Sequence, residues 1–177
     1  MFKEQFDNLR KKGALVHNIT NYVTVNDVAN MILACGASPI MSDDIEDVAD
    51  ITSICGGLNI NIGTLNQRTI SSMFAAGKKS NELGHKVLLD PVGAGASSLR
   101  TSTAKKLLED IKFDVIRGNI SEIKTLATGS ETTQGVDANV EDYITEENLA
   151  SAVNFVKTFS KATGSIVAIT GAIDLVS

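Results

Sequence analysis

Two stretches of the sequence place charged and hydroxyl side chains beside glycine, directly after runs of apolar residues. The apolar run 87–89 leads into Asp90-Pro91-Val92-Gly93-Ala94-Gly95, and a second run leads into Arg117-Gly118-Asn119-Ile120-Ser121-Glu122. Carboxylate oxygens are ligands that Mg²⁺ prefers, usually together with retained waters, and arginine neutralises the charge of a phosphate. This combination of residue types predicts a site for a nucleotide phosphate with Mg²⁺.

Both stretches also have a purely structural interpretation. Asp90 could close a strand with an ordinary Asx turn, and Gly93-Ala94-Gly95 is too short a glycine signal to name a ligand. Ser121 could cap a helix while Glu122 complements the dipole of that helix. On these residues alone, both interpretations stay open.

Neutral polar residues follow the apolar runs in the first third of the chain. Asn18-Ile19-Thr20-Asn21 comes after one run, and Leu58-Asn59-Ile60-Asn61-Ile62-Gly63 alternates so that two amides share one face of a strand. Met41 ends another run, where methionine is more often part of the core than a ligand contact. His17 precedes polar residues, and we interpret it as a structural histidine with satisfied hydrogen bonds.

Apolar residues recur with helical and strand periodicity in alternating segments. The predicted strands are 14–19, 38–41, 58–63, 87–90, 113–117 and 166–169, and the predicted helices are 1–12, 24–36, 43–55, 66–83, 101–110, 121–129 and 146–163, with a surface loop over 130–145. This alternation predicts one α/β domain over residues 1–177, with a mostly parallel sheet and helices on both faces. The polar residues that follow the strands would then share one edge of the sheet, where α/β proteins bind ligands.

The amino-acid composition of the chain argues against several classes of binding partner. The chain of 177 residues carries 16 basic and 21 acidic side chains without a basic block, and this net charge of -5 argues against nucleic acid and anionic membrane. Residues 1–12 are charged, and no apolar run approaches the roughly 20 residues that a bilayer requires, so neither a secretion signal nor a membrane span is predicted. Cys35 and Cys55 lie in apolar surroundings, which is typical of free thiols in a reducing cytoplasm.

An ordered set of segments resembles the hydroxyethylthiazole kinase family, a branch of the ribokinase-like superfamily that acts in thiamine salvage. The segments are VHNITNYV (16–23), GASPIM (36–41), LNINIGTL (58–65), LDPVGAG (89–95), IRGNISEI (116–123) and VAITG (167–171). Each segment is modestly specific alone, whereas their joint order and spacing are specific and cover nearly the whole chain. The resemblance implies a ribokinase-like fold and transfer of the ATP γ-phosphate to the alcohol of 4-methyl-5-(2-hydroxyethyl)thiazole.

The resemblance also implies site residues, position by position. Met41 would contact the thiazole, with Asn21, Gly63 and Thr64 near it. Arg117 and Thr170 would bind ATP, while Asp90 and Glu122 would organise Mg²⁺ through waters. The resemblance implies that family members form homotrimers with the thiazole site between neighbouring subunits. A homotrimer is therefore expected for this chain.

The resemblance implies a further C-terminal region. In the family, a Gly-Thr-Gly-Cys type motif opens a helix whose amides bind the transferring phosphate, and the catalytic residue lies nearby. The chain stops at Ser177, so we expect this part of the fold and the catalytic residue to lie beyond Ser177, and catalysis by these residues alone to be weak or absent.

Other functions stay open at this point. The first is a non-catalytic remnant that binds thiazole or ATP, and the second is another vitamin or sugar kinase of the same superfamily. A dinucleotide-dependent oxidoreductase is the weakest alternative, because no Gly-x-Gly-x-x-Gly follows the first predicted strand.

Overall fold

In the computed structural model, residues 2–128 and 143–177 are described. The chain divides into two compact units, Met1–Val87 and Leu88–Ser177. Each unit has strands and helices of its own. The prediction of one domain over residues 1–177 stays a prediction.

The first unit alternates helices with parallel strands. Its elements are α1 (Lys3–Lys12), β1 (Leu15–Ile19), α2 (Val25–Cys35), β2 (Ser38–Met41), α3 (Val48–Ile54), β3 (Gly57–Asn61) and α4 (Gln67–Leu83). β1 lies between β2 and β3 and is parallel to both, with Val16 opposite Pro39 on one side and Gly57 on the other. The apolar residues Ile19, Leu58 and Ile60 are fully buried, so the strands of this unit form its core.

Local signals in the sequence set the ends of the helices in this unit. Gly36 and Gly84 take positive φ angles of 96° and 69° at the ends of α2 and α4. Glycine adopts this conformation without the steric strain that a Cβ atom would cause. Asn66 caps the start of α4, because its side chain accepts a hydrogen bond from Thr69 N at 3.0 Å. These boundaries of α2 and α4 are therefore confirmed.

The second unit has the same alternation and ends in a strand that the sequence did not predict. Its first strand is β4 (Lys86–Asp90), of which Lys86 and Val87 belong to the first unit. The elements that follow are α5 (Ser98–Asp110), β5 (Val115–Gly118), α6 (Ile120–Ala127), α7 (Leu149–Thr163), β6 (Ile166–Ile169) and β7 (Leu175–Val176). β5 is parallel to β4 and to β6, whereas β7 is antiparallel to β6. The predicted α/β class with mostly parallel strands is confirmed.

Three predicted helices begin at other residues in the structure: α3, α5 and α7, of which α7 begins at Leu149 instead of residue 146. α3 begins at Val48 instead of residue 43, because Asp44 Oδ1 accepts a hydrogen bond from Glu46 N and so holds a turn in place of the first helical residues. α5 begins at Ser98, three residues earlier than predicted, since Ser97 supplies its cap. Most of the predicted loop 130–145 lies outside the described residues.

The length and polarity of the helices bear on membrane insertion. Within the described residues, none of the helices combines the length and the apolar character that crossing a bilayer requires.

Candidate functional site

Four asparagines in and after β1 and β3, namely Asn18, Asn21, Asn59 and Asn61, form what we call the amide cluster. Asn59 Nδ2 donates to Asn18 Oδ1, and Asn21 Nδ2 donates to Asn61 Oδ1, both at 3.1 Å. The parallel register places Asn18 opposite Asn59. Because each amide finds a neutral partner, Asn18 and Asn61 can be buried, with exposed fractions of 1% and 8%.

The turns after β1 and β3 contain the predicted residues Asn21, Gly63 and Thr64, and hydrogen bonds join these turns. Asn61 Oδ1 accepts from Gly63 N at 2.9 Å, and Thr64 Oγ1 accepts from Tyr22 N at 3.2 Å. A Cβ atom at Gly63 would lie 2.9 Å from Asn21 Cβ, which is closer than real Cβ contacts allow. The structure therefore brings these three predicted residues together, and glycine is required at 63 for the close approach.

A cavity of about 150 Å³ opens beside the amide cluster. It is lined by Asn18, Thr20, Tyr22, Val25, Met41, Ser42 and Asp43. Met41 is 37% exposed here, so the alternative that places it in the core is wrong. Of the four residues predicted to lie near the thiazole, only Met41 lines this cavity, and the others contact Tyr22 or its turn. Sequence reasoning did not select Tyr22, Val25 or Asp43, because no local pattern shows which side chains of a turn face a cavity.

His17 is fully buried within β1 and makes two hydrogen bonds. Its Nε2 lies 2.9 Å from the carbonyl oxygen of Ser42, and its Nδ1 lies 3.0 Å from Thr52 Oγ1. Burial lowers the pKa of His17, and the Ser42 hydrogen bond and the charge of Asp47 oppose this shift without cancelling it. The prediction of a structural histidine with satisfied hydrogen bonds is confirmed.

In the second unit, the charged residues Asp90, Arg117 and Glu122 form what we call the charged cluster. Arg117 Nη1 donates to Asp90 Oδ2 at 3.1 Å, so the ends of β4 and β5 are joined by an ion pair. The Arg117 side chain is 51% exposed and that of Asp90 is 13% exposed. Because about half of the Arg117 side chain lies in solvent, water screens this ion pair and the guanidinium stays accessible to an anion.

Glu122 connects the loop after Asp90 to the start of α6. Its Oε1 accepts from Gly93 N and its Oε2 accepts from Asn119 N, both at 2.8 Å. Asn119 Oδ1 in turn accepts from Glu122 N at 2.8 Å, which completes a capping box. The cap of α6 is therefore Asn119, and the interpretation of Ser121 as the cap is wrong. The signal that could have found it is Asn three residues before Glu, ahead of an apolar run.

Thr170 follows β6 and lies beside the charged cluster. Its N donates to the carbonyl oxygen of Gly118 at 2.9 Å, next to Arg117 in the chain. A cavity of about 280 Å³ is lined there by Asn119, Ile120, Ser121, Tyr143, Ile144, Ile169, Thr170, Gly171 and Ala172. Asp90, Arg117 and Thr170 thus lie at the carboxyl ends of β4, β5 and β6, and Glu122 lies in the first turn of α6. Of these four residues predicted for ATP and Mg²⁺, Thr170 lines this cavity.

Asp90 and Glu122 give the charged cluster the kind of oxygen donors that Mg²⁺ prefers. In the part of the chain that the structure describes, no group of three or more His, Cys, Asp or Glu side chains could hold a metal ion by itself. Mg²⁺ commonly takes only one or two carboxylates and completes its shell with water and substrate phosphate. Asp90 and Glu122 are the two carboxylates of the charged cluster, and both Glu122 oxygens already accept backbone hydrogen bonds.

The chain is similar to known proteins of one family. Residues 6–177 match the hydroxyethylthiazole kinase family. The hydroxyethylthiazole kinase of Clostridium acetobutylicum is 63% identical over 177 residues, which are 100% of this chain and 65% of that protein, and the one of Clostridium beijerinckii is 56% identical over 171 residues, 97% of this chain and 61% of that protein. The solved structure of the hydroxyethylthiazole kinase protein of Pyrococcus horikoshii OT3 superimposes with a TM-score of 0.84 at 36% identity, covering 98% of this chain and 62% of that one.

The chain spans between 61% and 65% of the length of these relatives. The match nevertheless includes every residue of the amide and charged clusters, because it runs from residue 6 to residue 177. The chain therefore belongs to the hydroxyethylthiazole kinase family.

Proposed function

We propose that the chain takes part in transferring the ATP γ-phosphate to the hydroxyl of 4-methyl-5-(2-hydroxyethyl)thiazole, called the thiazole alcohol below. The observation that carries this proposal is the 63% identity, along all 177 residues, to a protein named hydroxyethylthiazole kinase. In this proposal the first unit binds the thiazole alcohol and the second binds ATP. The thiazole contacts are Met41, Asn21, Gly63 and Thr64, the ATP contacts are Arg117 and Thr170, and the metal ligands are Asp90 and Glu122.

The chemistry of the first unit suits an uncharged heteroaromatic alcohol. The cavity beside the amide cluster combines apolar surface from Met41 and Tyr22 with amide and hydroxyl groups. Among residues 2–128 and 143–177, Thr20 Oγ1 is a buried hydroxyl oxygen without a hydrogen-bond partner. An unpaired buried polar atom of this kind destabilises the folded chain by about 1–3 kcal/mol. A bound ligand that formed a hydrogen bond with Thr20 Oγ1 would recover this free energy.

The chemistry of the second unit suits a polyphosphate. Arg117 offers a planar set of donors, and its ion pair with Asp90 leaves the guanidinium half-exposed. Phosphoryl transfer needs little covalent chemistry from the protein, because it depends on alignment of donor and acceptor and on neutralising the spreading negative charge. Arg117 would neutralise charge, and Thr170 would orient the nucleotide from the cavity that it lines.

Mg²⁺ is the proposed cofactor of the charged cluster. When bound, it would neutralise charge on the phosphate oxygens. Asp90 and Glu122 would hold it, with waters and phosphate oxygens in the remaining positions. Glu122 would at the same time keep the Gly93 loop against the start of α6, through the two hydrogen bonds at 2.8 Å.

We propose a homotrimer as the assembled state and the cytoplasm as its compartment. Large apolar side chains are exposed between residues 22 and 33, and the largest exposed fractions there are 83% for Val23, 66% for Met31 and 60% for Tyr22. An exposed apolar surface of this kind is typical of an interface between proteins, which supports contact with a second copy of the chain. Sedimentation velocity tests the assembly, with three-chain mass expected for the wild type and a smaller mass for Met31→Asp.

Cys35 and Cys55 are free thiols, which supports a reducing compartment.

The experiment that tests the function measures binding first and turnover second. Calorimetry on the chain of 177 residues should detect the thiazole alcohol and, separately, Mg-ATP, and a coupled assay then follows ADP release with both present. The Clostridium acetobutylicum relative serves as the positive control. Binding of both ligands supports the proposal, and thiazole-dependent ADP release extends it to catalysis by this chain. Binding without ADP release would favour the non-catalytic alternative, while failure to bind the thiazole alcohol would refute the substrate assignment.

A further inference from the structure

We infer that His17 is a positioning residue for the thiazole site, acting through the carbonyl group of Ser42. This role rests on the function proposed above, because it concerns the same cavity. His17 does not line that cavity, whereas Ser42 does, between Met41 and Asp43. The imidazole lies in β1, fully buried, and reaches the segment after β2 through its Nε2, 2.9 Å from Ser42 O.

The partners of His17 determine which ring nitrogen carries the proton. A carbonyl oxygen can only accept, so the contact with Ser42 requires a proton on Nε2. Nδ1 is then the acceptor, and it receives the hydroxyl hydrogen of Thr52, which lies in α3 at 3.0 Å. Because burial disfavours the charged imidazolium, the ring keeps this neutral form, and Nε2 is a permanent donor to the Ser42 carbonyl.

The orientation of the Ser42 carbonyl group affects the position of the cavity wall. Its orientation defines the peptide between Ser42 and Asp43, directly after Met41. The other contacts of this segment lie near the surface: Ser42 Oγ donates to Asp47 Oδ2 at 2.5 Å, and Arg68 pairs with Asp43 at 3.5 Å. Exposed pairs such as Arg68 with Asp43 contribute little. The His17 bond differs from both of these contacts because its donor is a fully buried side chain, so it holds this wall from the interior.

The choice of residue supports a positioning role over simple filling of space. A buried imidazole loses its hydration, a cost that an apolar side chain of similar size would avoid. What histidine adds is a donor at the reach of Nε2, and a Gln amide can place a donor at a comparable distance from the backbone. A Leu side chain fills space without donating, so these two substitutions separate the hydrogen bond from the packing.

The test compares three single variants by calorimetry with the thiazole alcohol and with Mg-ATP, together with their thermal unfolding. We expect His17→Leu to weaken thiazole binding about tenfold, the size of one lost buried hydrogen bond, and to leave Mg-ATP binding unchanged. His17→Gln should restore thiazole affinity to within about threefold of the wild type. Thr52→Val is the matched control: it removes the other partner of His17 and lowers the melting temperature, but it should leave thiazole affinity unchanged because the Ser42 bond remains.

Three results would overturn the inference. Equal thiazole affinity of His17→Leu and the wild type would show that the Ser42 bond does not shape the site. Equal losses in His17→Leu and Thr52→Val would show that general loosening around α3, and not the Ser42 bond, lowers affinity. Nitrogen NMR of the folded wild type gives the third test, because a proton on Nδ1 instead of Nε2 contradicts the donor role whatever the ligand. A wild-type chain that has the Nε2 proton but binds no thiazole alcohol refutes the proposed function, and with it this role.

Discussion

The amide cluster and the charged cluster occupy similar places in their own units, in parallel strands or in the segments that directly follow them, yet they differ in burial. Asn18 in the first unit is 1% exposed, whereas the Arg117 side chain in the second is 51% exposed. Neutral amides can leave water because they exchange hydrogen bonds with each other, but a guanidinium loses far more hydration. Parallel strands can therefore carry two kinds of site. The charge of the side chains determines how far each site is exposed to solvent.

This difference in burial has consequences for ligand exchange. The amides are held by hydrogen bonds to each other and to backbone groups, so the neutral ligand proposed for the first unit would meet a surface that is already formed. Arg117 and Asp90 are joined by a solvent-screened pair that an incoming phosphate can replace. The comparison thus predicts that substitutions in the two clusters affect different ligands.

The largest expected effect is on nucleotide binding by the charged cluster. Arg117→Ala and Asp90→Asn should each weaken Mg-ATP binding about tenfold to a hundredfold, because each removes a charge-assisted contact, and thiazole affinity should not change. Calorimetry with each ligand provides the measurement. Arg68→Ala is the matched control, since Arg68 is also an exposed arginine paired with aspartates but lies in the first unit. Unchanged Mg-ATP affinity in both charged-cluster variants would contradict the assignment.

The next effect concerns the close approach inside the amide cluster. Gly63→Ala should destabilise the fold by about 1–3 kcal/mol and weaken thiazole binding, because the new methyl group would lie 2.9 Å from Asn21 Cβ. Gly56→Ala is the control, since a Cβ at Gly56 has no neighbour within 4 Å among the described residues and its φ is not positive. Urea unfolding of the two variants provides the comparison. Equal stability would show that the amide cluster relaxes to admit the methyl group.

A smaller effect sharpens the description of the charged cluster. Asn119→Ala should lower the free energy of unfolding by about 1 kcal/mol, because Asn119 caps α6. Ser121→Ala should change it by less than about 0.5 kcal/mol, since the Ser121 side chain does not cap that helix. Urea unfolding distinguishes the two, and a larger loss in Ser121→Ala would restore the interpretation that the structure overturned.

The smallest effect is the pH dependence that His17 contributes next to the amide cluster. Its pKa is lowered in the folded chain, so below the ordinary histidine value of about 6.5 the unfolded chain binds a proton that the folded chain resists. The stabilisation by neutral His17 is therefore fully present above pH 6.5 and is lost as the pH falls towards the lowered pKa. Urea unfolding at about pH 7.5 and pH 5.5 should show a smaller decline in His17→Gln than in the wild type. An equal decline would assign the acid sensitivity to other groups.

Much of the fold could be predicted from local patterns. The six predicted strands are present because each contains apolar residues that folding removes from water, and Gly36 and Gly84 end their helices as expected. β7 was missed because a strand of two residues, Leu175–Val176, has no periodicity of its own and is defined only by pairing with β6. The late start of α3 was missed because the Asp44 side chain accepts a hydrogen bond from Glu46 N, which competes with helical backbone bonds.

The sequence by itself determined which residues follow the strands, where most helices begin and end, and which chemistry those residues can offer. These properties depend on neighbours a few positions away, so they can be read along the chain. Only the tertiary structure decided that Arg117 pairs with Asp90 across 27 positions, that Glu122 holds Gly93 across 29, and that His17 reaches Ser42 across 25. Such partners are chosen by the packing of strands and helices, because a polar group accepts any donor or acceptor that the fold brings within about 3 Å.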